Sequence, residues 1–219
     1  MKEKMNKIPV FYACDDNFVK YTMVSLQSMM DHASKEAQYE IHVLHTNISE
    51  EMQKKMHAME NANFSVQFDH VTEYLHSIQE KLPLRDYYSK TTYFRLFIAE
   101  MFPEIDKAIY IDSDTVVLGD IAQLYAYDLG DAYVGACREQ VMIQEEVYGT
   151  YVEKVLGVER DNYFNAGMLV INCEQFRKNH VLKQFMELLP MYNFVVTQDE
   201  DYLNLILSLI HISEPTRRS

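Results

Sequence analysis

Three continuous apolar runs limit what this chain can fold into. Residues 108–111 (AIYI), 132–137 (AYVGAC) and 167–172 (GMLVIN) carry almost no charged or strongly polar side chains. Such runs are typical of strands covered on both faces, whereas half-exposed strands alternate polar and apolar positions. Helices must then cover both faces of the sheet. We therefore predict an α/β fold with a central, mainly parallel sheet flanked by helices.

The first half of the chain alternates strand and helix signals in the same way. Residues 8–13, 41–45 and 64–70 are predicted strands. A helix after the first of them is predicted from the helical spacing of Val19, Met23, Leu26 and Met30. No linker or composition shift interrupts the pattern before about residue 206, so we predict one domain over residues 1–206. Ligands of such sheets usually bind beyond the carboxyl ends of the strands.

Two further helices are expected from local signals. Residues 49–59 are predicted as a helix with Ser49 as its N-cap and acidic residues in its first turn. Residues 91–102 carry apolar side chains on adjacent faces and are predicted as a well-buried helix that ends before Pro103.

Charge and cysteine content narrow the partners and the compartment. The 219 residues carry 20 Lys and Arg against 33 Asp and Glu, a formal charge of -13, which argues against a nucleic-acid partner. Cys14, Cys137 and Cys173 form no CxxC pair, and no apolar run reaches the roughly 18 residues of a membrane span. We expect a cytoplasmic protein that needs a cation to hold an anionic ligand.

Two aspartates follow one of the apolar runs and form the sharpest local signal. Asp112 and Asp114 flank Ser113 where the predicted strand 108–111 ends. Carboxylates at positions i and i+2 of an extended segment project to the same side. Mg²⁺ and Mn²⁺ prefer oxygen ligands and commonly take one or two carboxylates together with substrate phosphate and water. The pair therefore suits a divalent cation, although a solvated turn or a helix cap would also place aspartates here.

A phosphatase motif competes for the same residues. The segment also resembles motif I of the haloacid dehalogenase phosphatases, D-x-D-x-[TV]-[LV], through Asp112, Asp114, Val116 and Val117. In that interpretation Asp112 accepts a phosphoryl group and Asp114 acts as acid and base. Those enzymes also need a later Lys and an acidic pair, and the chain offers no convincing set downstream.

Five segments in order resemble glycosyltransferase family 8 over about residues 8–206. They are FYACDDNF (11–18), TTYFRLFIAE (91–100), YIDSDTVVLGDIAQLY (110–125), YFNAGMLVIN (163–172) and TQDEDYLN (197–204). The resemblance implies a nucleotide-diphosphosugar transferase fold of the GT-A type. It also implies a UDP-glucose or UDP-galactose donor, Mn²⁺ or Mg²⁺ as cofactor, and hexose transfer with retention of anomeric configuration.

The resemblance also assigns donor-site residues one by one. Ala13, Asp15 and Asn17 would hold the uridine, although residues 15–17 could equally cap the following helix. Arg95 would lie near the donor, where a guanidinium fork suits phosphate or sugar oxygens. The remaining implied contacts are metal ligation by Asp112 and Asp114, backbone contacts from Ser113, sugar contacts from Asn165 and Ala166, and a close backbone approach at Gly167.

The segment at residues 198–201 departs from the family pattern at one position. Asp199 matches the sugar-binding aspartate of D-Q-D-x-L-N, but Glu200 replaces the glutamine that many members carry beside the anomeric carbon. A carboxylate there could form a covalent glycosyl intermediate, which an amide cannot do well. We expect Glu200 to lie under the donor sugar and only to stabilise oxocarbenium-like charge.

Residues 207–219 (LSLIHISEPTRRS) break the pattern. Residues 207–217 resemble the translation of a transposase-adapter sequence used in sequencing libraries, so we expect a non-native tail. Family members continue to an H-x-x-G-x-x-K-P-W type segment that supplies a third metal ligand, and His211 is not expected to replace it. We therefore expect the 219-residue chain to bind metal and donor weakly and to transfer little sugar.

Three functions remain open on the sequence alone. The first is a retaining UDP-sugar transferase acting on a glycan or lipid-linked glycan acceptor, such as a lipopolysaccharide core, with peripheral membrane contact through the missing C-terminal part. The second is the haloacid dehalogenase-type phosphatase. The third is a sugar-nucleotide-binding fragment without catalysis.

Overall fold

The computed structural model describes residues 7–78, 91–194 and 196–208. His211 and most of the adapter-like segment, residues 209–219, lie outside the described residues. Within the described ranges, no helix is long and apolar enough to cross a membrane.

A single sheet with the strand order β3-β2-β1-β4-β6-β5 forms the centre of the molecule. The strands have the following bounds: β1 Lys7–Ala13, β2 Gln38–His45, β3 Phe64–His70, β4 Lys107–Ile111, β5 Val134–Arg138 and β6 Phe164–Asn172. The first four strands are parallel to one another, and β6 runs antiparallel to its neighbours β4 and β5. The predicted, mainly parallel sheet is confirmed, and β6 is its one reversed strand.

Helices cover both faces of this sheet. Their bounds are α1 Val19–His32, α2 Glu50–His57, α3 Val71–Ile78, α4 Ile98–Met101, α5 Ile121–Tyr125, α6 Gln140–Gln144, α7 Glu146–Tyr151, α8 Cys173–Lys178, α9 Val181–Leu188 and α10 Asp199–Ser208. Shorter turns complete the layers: 3₁₀ helices at Thr91–Leu96 and Arg160–Asn162, and a π-helical turn at Val152–Leu156.

Alternate residues of each central strand enter two different cores. Val10 and Tyr12 of β1 belong to the core that α1 and part of α5 cover, whereas Phe11 belongs to the core that α4, α8, α9 and α10 cover on the opposite face. Because both faces are covered, polar and apolar residues need not alternate along these strands. The apolar run in β6 is covered in the same way, so its composition reports burial and not strand direction.

The segment before β4 differs from the predicted helix. Its first six residues form the 3₁₀ helix Thr91–Leu96, and only Ile98–Met101 are α-helical. β-branched and aromatic residues are moderate helix formers, and here the Arg95 side chain bonds back to the Thr92 carbonyl. The predicted burial is nevertheless correct, since Tyr93, Phe94 and the following residues to Ala99 are buried.

Helix α2 begins where predicted, but its N-cap residue bonds differently. Ser49 occupies the N-cap position, but its side chain makes no capping hydrogen bond. Instead the backbone N–H and the hydroxyl of Ser49 donate to Asp16 Oδ1 over 2.8 and 3.0 Å. The loop after β1 is thereby tied to the start of α2.

Candidate functional site

Most residues singled out in the sequence lie at one edge of the sheet. Because β6 is antiparallel to β4, the start of β6 lies beside the end of β4. The N–H of Asp112 donates to the Gly167 carbonyl over 2.7 Å, and the Ser113 hydroxyl donates to the Ala13 carbonyl over 3.3 Å. Three segments that are far apart in sequence thus meet at this edge.

The buried side chain of Arg95 contacts several of these segments at once. Its side chain is 4% exposed, and it donates to the Thr92 carbonyl over 2.9 Å, to the Ala166 carbonyl and to Asp112 Oδ1 over 2.9 Å. Asp199 Oδ2 lies 2.9 Å from Arg95 Nε. The guanidinium also lies 4.3 Å from the ring centroid of Tyr110. A buried cation therefore holds the end of β4, the start of β6 and the start of α10 together.

The electrostatics of Arg95 favour its charged form. Burial alone would lower the pKa of this guanidinium, and Tyr110, Asp199 and Asp112 outweigh that effect and raise the pKa above its ordinary value. Removing the arginine would leave the Asp199 carboxylate buried without its counter-charge, which is costly in a protein interior.

The predicted metal ligands, Asp112 and Asp114, differ in how far they are engaged. Asp112 Oδ1 accepts from Arg95 and, over 2.9 Å, from the Tyr110 hydroxyl, which leaves Oδ2 as its uncommitted oxygen. Asp114 is exposed and makes no hydrogen bond with the described residues. No group of three metal-ligating side chains occurs among the residues that the structure describes. Two carboxylates fit a Mg²⁺ or Mn²⁺ ion that takes its other ligands from a bound diphosphate and water.

The loop after β1 is held by its own carboxylates. Asp15 Oδ1 accepts from the N–H groups of Asn17 and Phe18 over 2.9 and 3.1 Å. The helix-capping alternative therefore describes one oxygen of Asp15, and its second oxygen makes no bond to the described residues. Asn17 is exposed. Ser113 is buried and accepts from the Thr22 hydroxyl over 2.9 Å, so its side chain fixes this loop against helix α1.

Side chains of α10 form hydrogen bonds with backbone groups at the start of β6. Asn204 accepts from the N–H of Phe164 over 2.9 Å and donates to its carbonyl over 2.9 Å. Glu200 Oε2 accepts from the N–H of Ala166 over 2.7 Å. The pairing with β4 reaches only Met168, so these side chains replace a neighbouring strand for residues 164–166. Gly167 is close enough to Asp112 that an added Cβ would lie 2.8 Å from Asp112 Oδ2.

The two acids at the start of α10 have raised pKa values. Burial raises the pKa of Asp199 to about 6, against an opposing effect of Arg95. Burial also raises the pKa of Glu200 to about 7, partly offset by the hydrogen bond from Ala166. Asp199 Oδ2 is buried and accepts no hydrogen bond from the described residues, because the Arg95 N–H beside it points to Thr92. Since this oxygen has no exposed surface, a ligand hydroxyl would reach it only if neighbouring side chains moved.

The neighbouring acid, Asp201, is fully engaged and has a structural role. Its carboxylate accepts from the hydroxyls of Tyr163 and Tyr151 over 2.9 and 2.8 Å and from the N–H of Thr197 over 3.2 Å. Asp201 is 0% exposed. These bonds hold α10 against α7 and the start of β6, and they fix the direction in which Asp199 and Glu200 project.

An open cleft of about 190 Å³ lies over this edge of the sheet. It is lined by Ala13, Phe18, Thr91, Thr92, Tyr110, Asp112, Ser113 and Asp114. Sequence reasoning missed Phe18, the two threonines and Tyr110. Phe18 carries a readable signal, because a large apolar residue directly follows the polar triplet at residues 15–17 and is 48% exposed. Tyr110 lies two positions before Asp112, on the same side of the strand.

The fold and this cleft define the class of protein. The structure matches solved glycosyltransferases, among them WbbM, a bifunctional glycosyltransferase, with TM-score 0.81 and 27% identity over 94% of this chain and 38% of that one. An active-site glutamine-to-glutamate mutant of LgtC matches with TM-score 0.73 and 29% identity over 91% of this chain and 70% of that one. The molecule therefore has the GT-A type fold expected from the sequence.

The chain belongs to glycosyl transferase family 8, whose model matches residues 9–213. The resemblance noted in the five segments is thus confirmed, and the phosphatase alternative is left without support. A putative glycosyltransferase of Haemophilus influenzae is 29% identical over 89% of this chain. The lipopolysaccharide 1,3-galactosyltransferase of Salmonella typhimurium is 24% identical over 92% of it. The chain spans 58% and 60% of the lengths of these two relatives.

Proposed function

We propose that the protein transfers a hexose, glucose or galactose, from a UDP-sugar to a glycan acceptor with retention of anomeric configuration. The observation that carries this proposal is the convergence on Arg95. One buried guanidinium holds Asp112, the Ala166 carbonyl and Asp199 within contact distance. The family resemblance implies that Asp112 binds the metal and that Ala166 and Asp199 contact the donor sugar. A donor that spans them is therefore held on a preorganised frame.

A divalent cation, Mn²⁺ or Mg²⁺, would be held by Asp112 and Asp114. When bound, it offsets the negative charge that builds on a diphosphate leaving group. The chain itself carries formal charge -13, and both carboxylates would otherwise repel a diphosphate. The acidic pair therefore has a role in donor binding only with a cation present.

Glu200 is proposed to support the reacting sugar without bonding to it. One of its oxygens is occupied by the Ala166 N–H, and burial raises its pKa to about 7. A carboxylate held by a backbone N–H places partial negative charge beneath an oxocarbenium-like centre. The acceptor hydroxyl then attacks from the face that UDP leaves, and the departing phosphate takes its proton.

The name of one relative supports an acceptor class. The Salmonella relative is named a lipopolysaccharide galactosyltransferase, which supports a lipopolysaccharide-type or other surface glycan as acceptor. UDP-glucose and UDP-galactose differ in the configuration of one hydroxyl, and a donor panel distinguishes between them.

The proposal is tested by calorimetric titration of UDP, UDP-glucose and UDP-galactose into the protein, with Mn²⁺ and with EDTA, followed by a sugar-release assay. We expect weak but Mn²⁺-dependent binding of at least one UDP-sugar, little sugar release by the 219-residue chain, and a further loss of about 10-fold or more in affinity for Asp112→Asn and Asp114→Asn. The exposed Glu104→Gln, at the opposite edge of the sheet, is the matched control. Equal binding by wild type and both aspartate variants would refute the proposal.

A further inference from the structure

Glu139 lies at the same edge of the sheet as the donor cleft, although no motif marks it. It follows directly after β5, whose last residue, Arg138, is paired with Phe164 at the start of β6. The N–H of Glu139 donates to the Tyr163 carbonyl over 3.1 Å, which fixes its backbone beside that of β6. Its side chain is half-buried. It therefore faces the residues that begin β6 from the side opposite to α10.

Both carboxylate oxygens of Glu139 have a defined partner. Oε1 accepts from the N–H of Val141 over 3.1 Å and so caps helix α6. Oε2 accepts from Asn165 Nδ2 over 2.6 Å. A short hydrogen bond to a charged acceptor is stronger than one between neutral groups.

The second bond sets the orientation of the Asn165 amide. Asn165 Oδ1 already accepts from the N–H of Gly167 over 2.8 Å. With a donor site facing Glu139 and an acceptor site facing Gly167, the amide cannot rotate by half a turn without opposing like groups at both ends. One N–H and one lone pair remain, and their directions are fixed.

We propose that Glu139 is a positioning residue that locks the Asn165 side chain in the orientation required by the donor sugar. This inference rests on the proposed function, since Asn165 is there a sugar contact. Glu139 acts through Asn165 and not on the sugar itself. Its contribution should consequently appear for UDP-sugars and not for UDP, which lacks the sugar.

The charge of Glu139 also reaches Glu200. Burial is the main cause of the raised pKa of Glu200, and the Glu139 carboxylate adds to it, together with Asp199 and against Arg95. The hydroxyl of Tyr163 and the N–H of Ala166 are the other polar groups that face Glu200. Neutralising Glu139 should therefore lower the pKa of Glu200.

Glu139→Asp separates the cap from the positioning contact. Aspartate is a good N-cap residue, so helix α6 should remain capped, but a side chain shorter by one methylene does not reach Asn165. We expect Glu139→Asp to weaken UDP-sugar binding about 10-fold and to change UDP binding less than about 2-fold. The exposed Glu145→Gln, which also precedes a helix but makes no side-chain cap, is the control and should leave both affinities unchanged.

A double-mutant cycle with Asn165→Ala decides whether Glu139 acts through Asn165. If it does, Glu139→Asp adds no further loss once Asn165 has been truncated, and the two effects are strongly non-additive. A second readout is the pH dependence of UDP-sugar binding. The transition in affinity that reports the ionisation of Glu200 should move to lower pH in Glu139→Gln. Thermal unfolding of each variant separates loss of binding from loss of fold.

The outcomes distinguish the two proposals. Wild-type binding of a UDP-sugar combined with unchanged affinity in Glu139→Asp, equal losses for UDP and UDP-sugar, or additive effects in the cycle would each overturn the positioning role alone. If the wild-type protein binds no UDP-sugar in the presence of Mn²⁺, the proposed function fails and this inference fails with it.

Discussion

At the scale of single residues, the buried charge of Arg95 is the most sensitive point in the molecule. A lysine carries one compact ammonium group and cannot reach Thr92, Ala166 and Asp112 together. We expect Arg95→Lys to lower the free energy of unfolding by about 3 kcal/mol, because a single ammonium group leaves buried acceptors of Arg95 without a donor. Urea denaturation at neutral pH measures this change.

The surface residue Arg160 provides the comparison. It pairs with Glu146 and Glu153 over 3.1 and 2.7 Å, but solvent reaches all three groups. Exposed pairs contribute little, so Arg160→Lys should change the free energy of unfolding by less than about 1 kcal/mol. Similar losses for the two arginine variants would contradict the conclusion that the buried contacts of Arg95 hold the three segments together.

Glu200 should make stability depend on pH in a definite direction. Its pKa rises from 4.5 to about 7 on folding, mainly through burial, so the folded protein holds a proton that the unfolded chain releases. Stability from this group is present below the unfolded pKa and is lost as the pH rises through the folded pKa. Glutamine has no proton to lose and can still accept from Ala166. As the pH rises from 5 to 8, the wild type should lose about 2 kcal/mol of unfolding free energy relative to Glu200→Gln.

That gain is measured by urea denaturation across the pH range. The exposed Glu174→Gln should show a nearly constant difference from wild type over the same range. A constant difference for Glu200→Gln as well would mean that Glu200 is already ionised at pH 5. That result would contradict the raised pKa of Glu200.

The residues that sequence reasoning found and those it missed differ in a physical way. Asp112, Asp114 and Asp199 lie in short patterns whose spacing already implies a shared direction. The partners of Arg95, by contrast, lie in three separate segments, and only the sheet brings them together. Glu139 belongs to no local pattern, since its importance comes from a contact with Asn165 across two strands. Such contacts become predictable only when the strand order is known.

At the scale of elements, the contact between α10 and β6 depends on one amide side chain. Asn204 pairs both the N–H and the carbonyl of Phe164, and it also donates to the Glu200 carbonyl over 3.0 Å. Truncation leaves two buried backbone groups without partners, each worth about 1–3 kcal/mol. We expect Asn204→Ala to lower the free energy of unfolding by about 3 kcal/mol and to weaken UDP-sugar binding as well. Urea denaturation and calorimetry measure the two effects.

Asn179→Ala is the matched control for that variant. Asn179 is the C-cap residue of helix α8, and among the described residues its side chain bonds only to Gln175, one turn earlier. Its loss should therefore cost less than about 1 kcal/mol. An Asn204→Ala variant with wild-type stability would mean that water satisfies Phe164 in its place.

The elements themselves were largely predictable, and their directions were not. Apolar runs located five of the six described strands within a few residues, because burial on both faces leaves a strong compositional signal, and alternation located β3, which is exposed on one side. The same signal is silent on direction, so the reversal of β6 could not be read from it. The 3₁₀ geometry at Thr91–Leu96 was also missed, because helical spacing over six residues does not distinguish three from 3.6 residues per turn.

At the scale of the whole molecule, the acidic balance should couple ligand binding to the cation. UDP at about 100 times its dissociation constant should stabilise the fold by about 2.7 kcal/mol, which corresponds to about 5–10 °C in Tm for a chain of this size. We expect this shift in differential scanning fluorimetry with Mn²⁺ and little shift with EDTA. Asp112→Asn should reduce it to about half or less, whereas Glu104→Gln should retain it. A shift that is equal with Mn²⁺ and with EDTA would contradict metal-mediated binding.

The partners of Arg95 also have a consequence for how the protein is made. A ribosome releases Arg95 and Asp112 well before Ala166 and Asp199, so for part of synthesis the guanidinium has an incomplete set of partners. Burying it at that time would cost several kcal/mol. The core around it is therefore expected to stay open until α10 has emerged. A stalled nascent chain that stops short of Asp199 should be sensitive to protease around Arg95, because α10 completes the neutralisation of a charge that was translated about a hundred residues earlier.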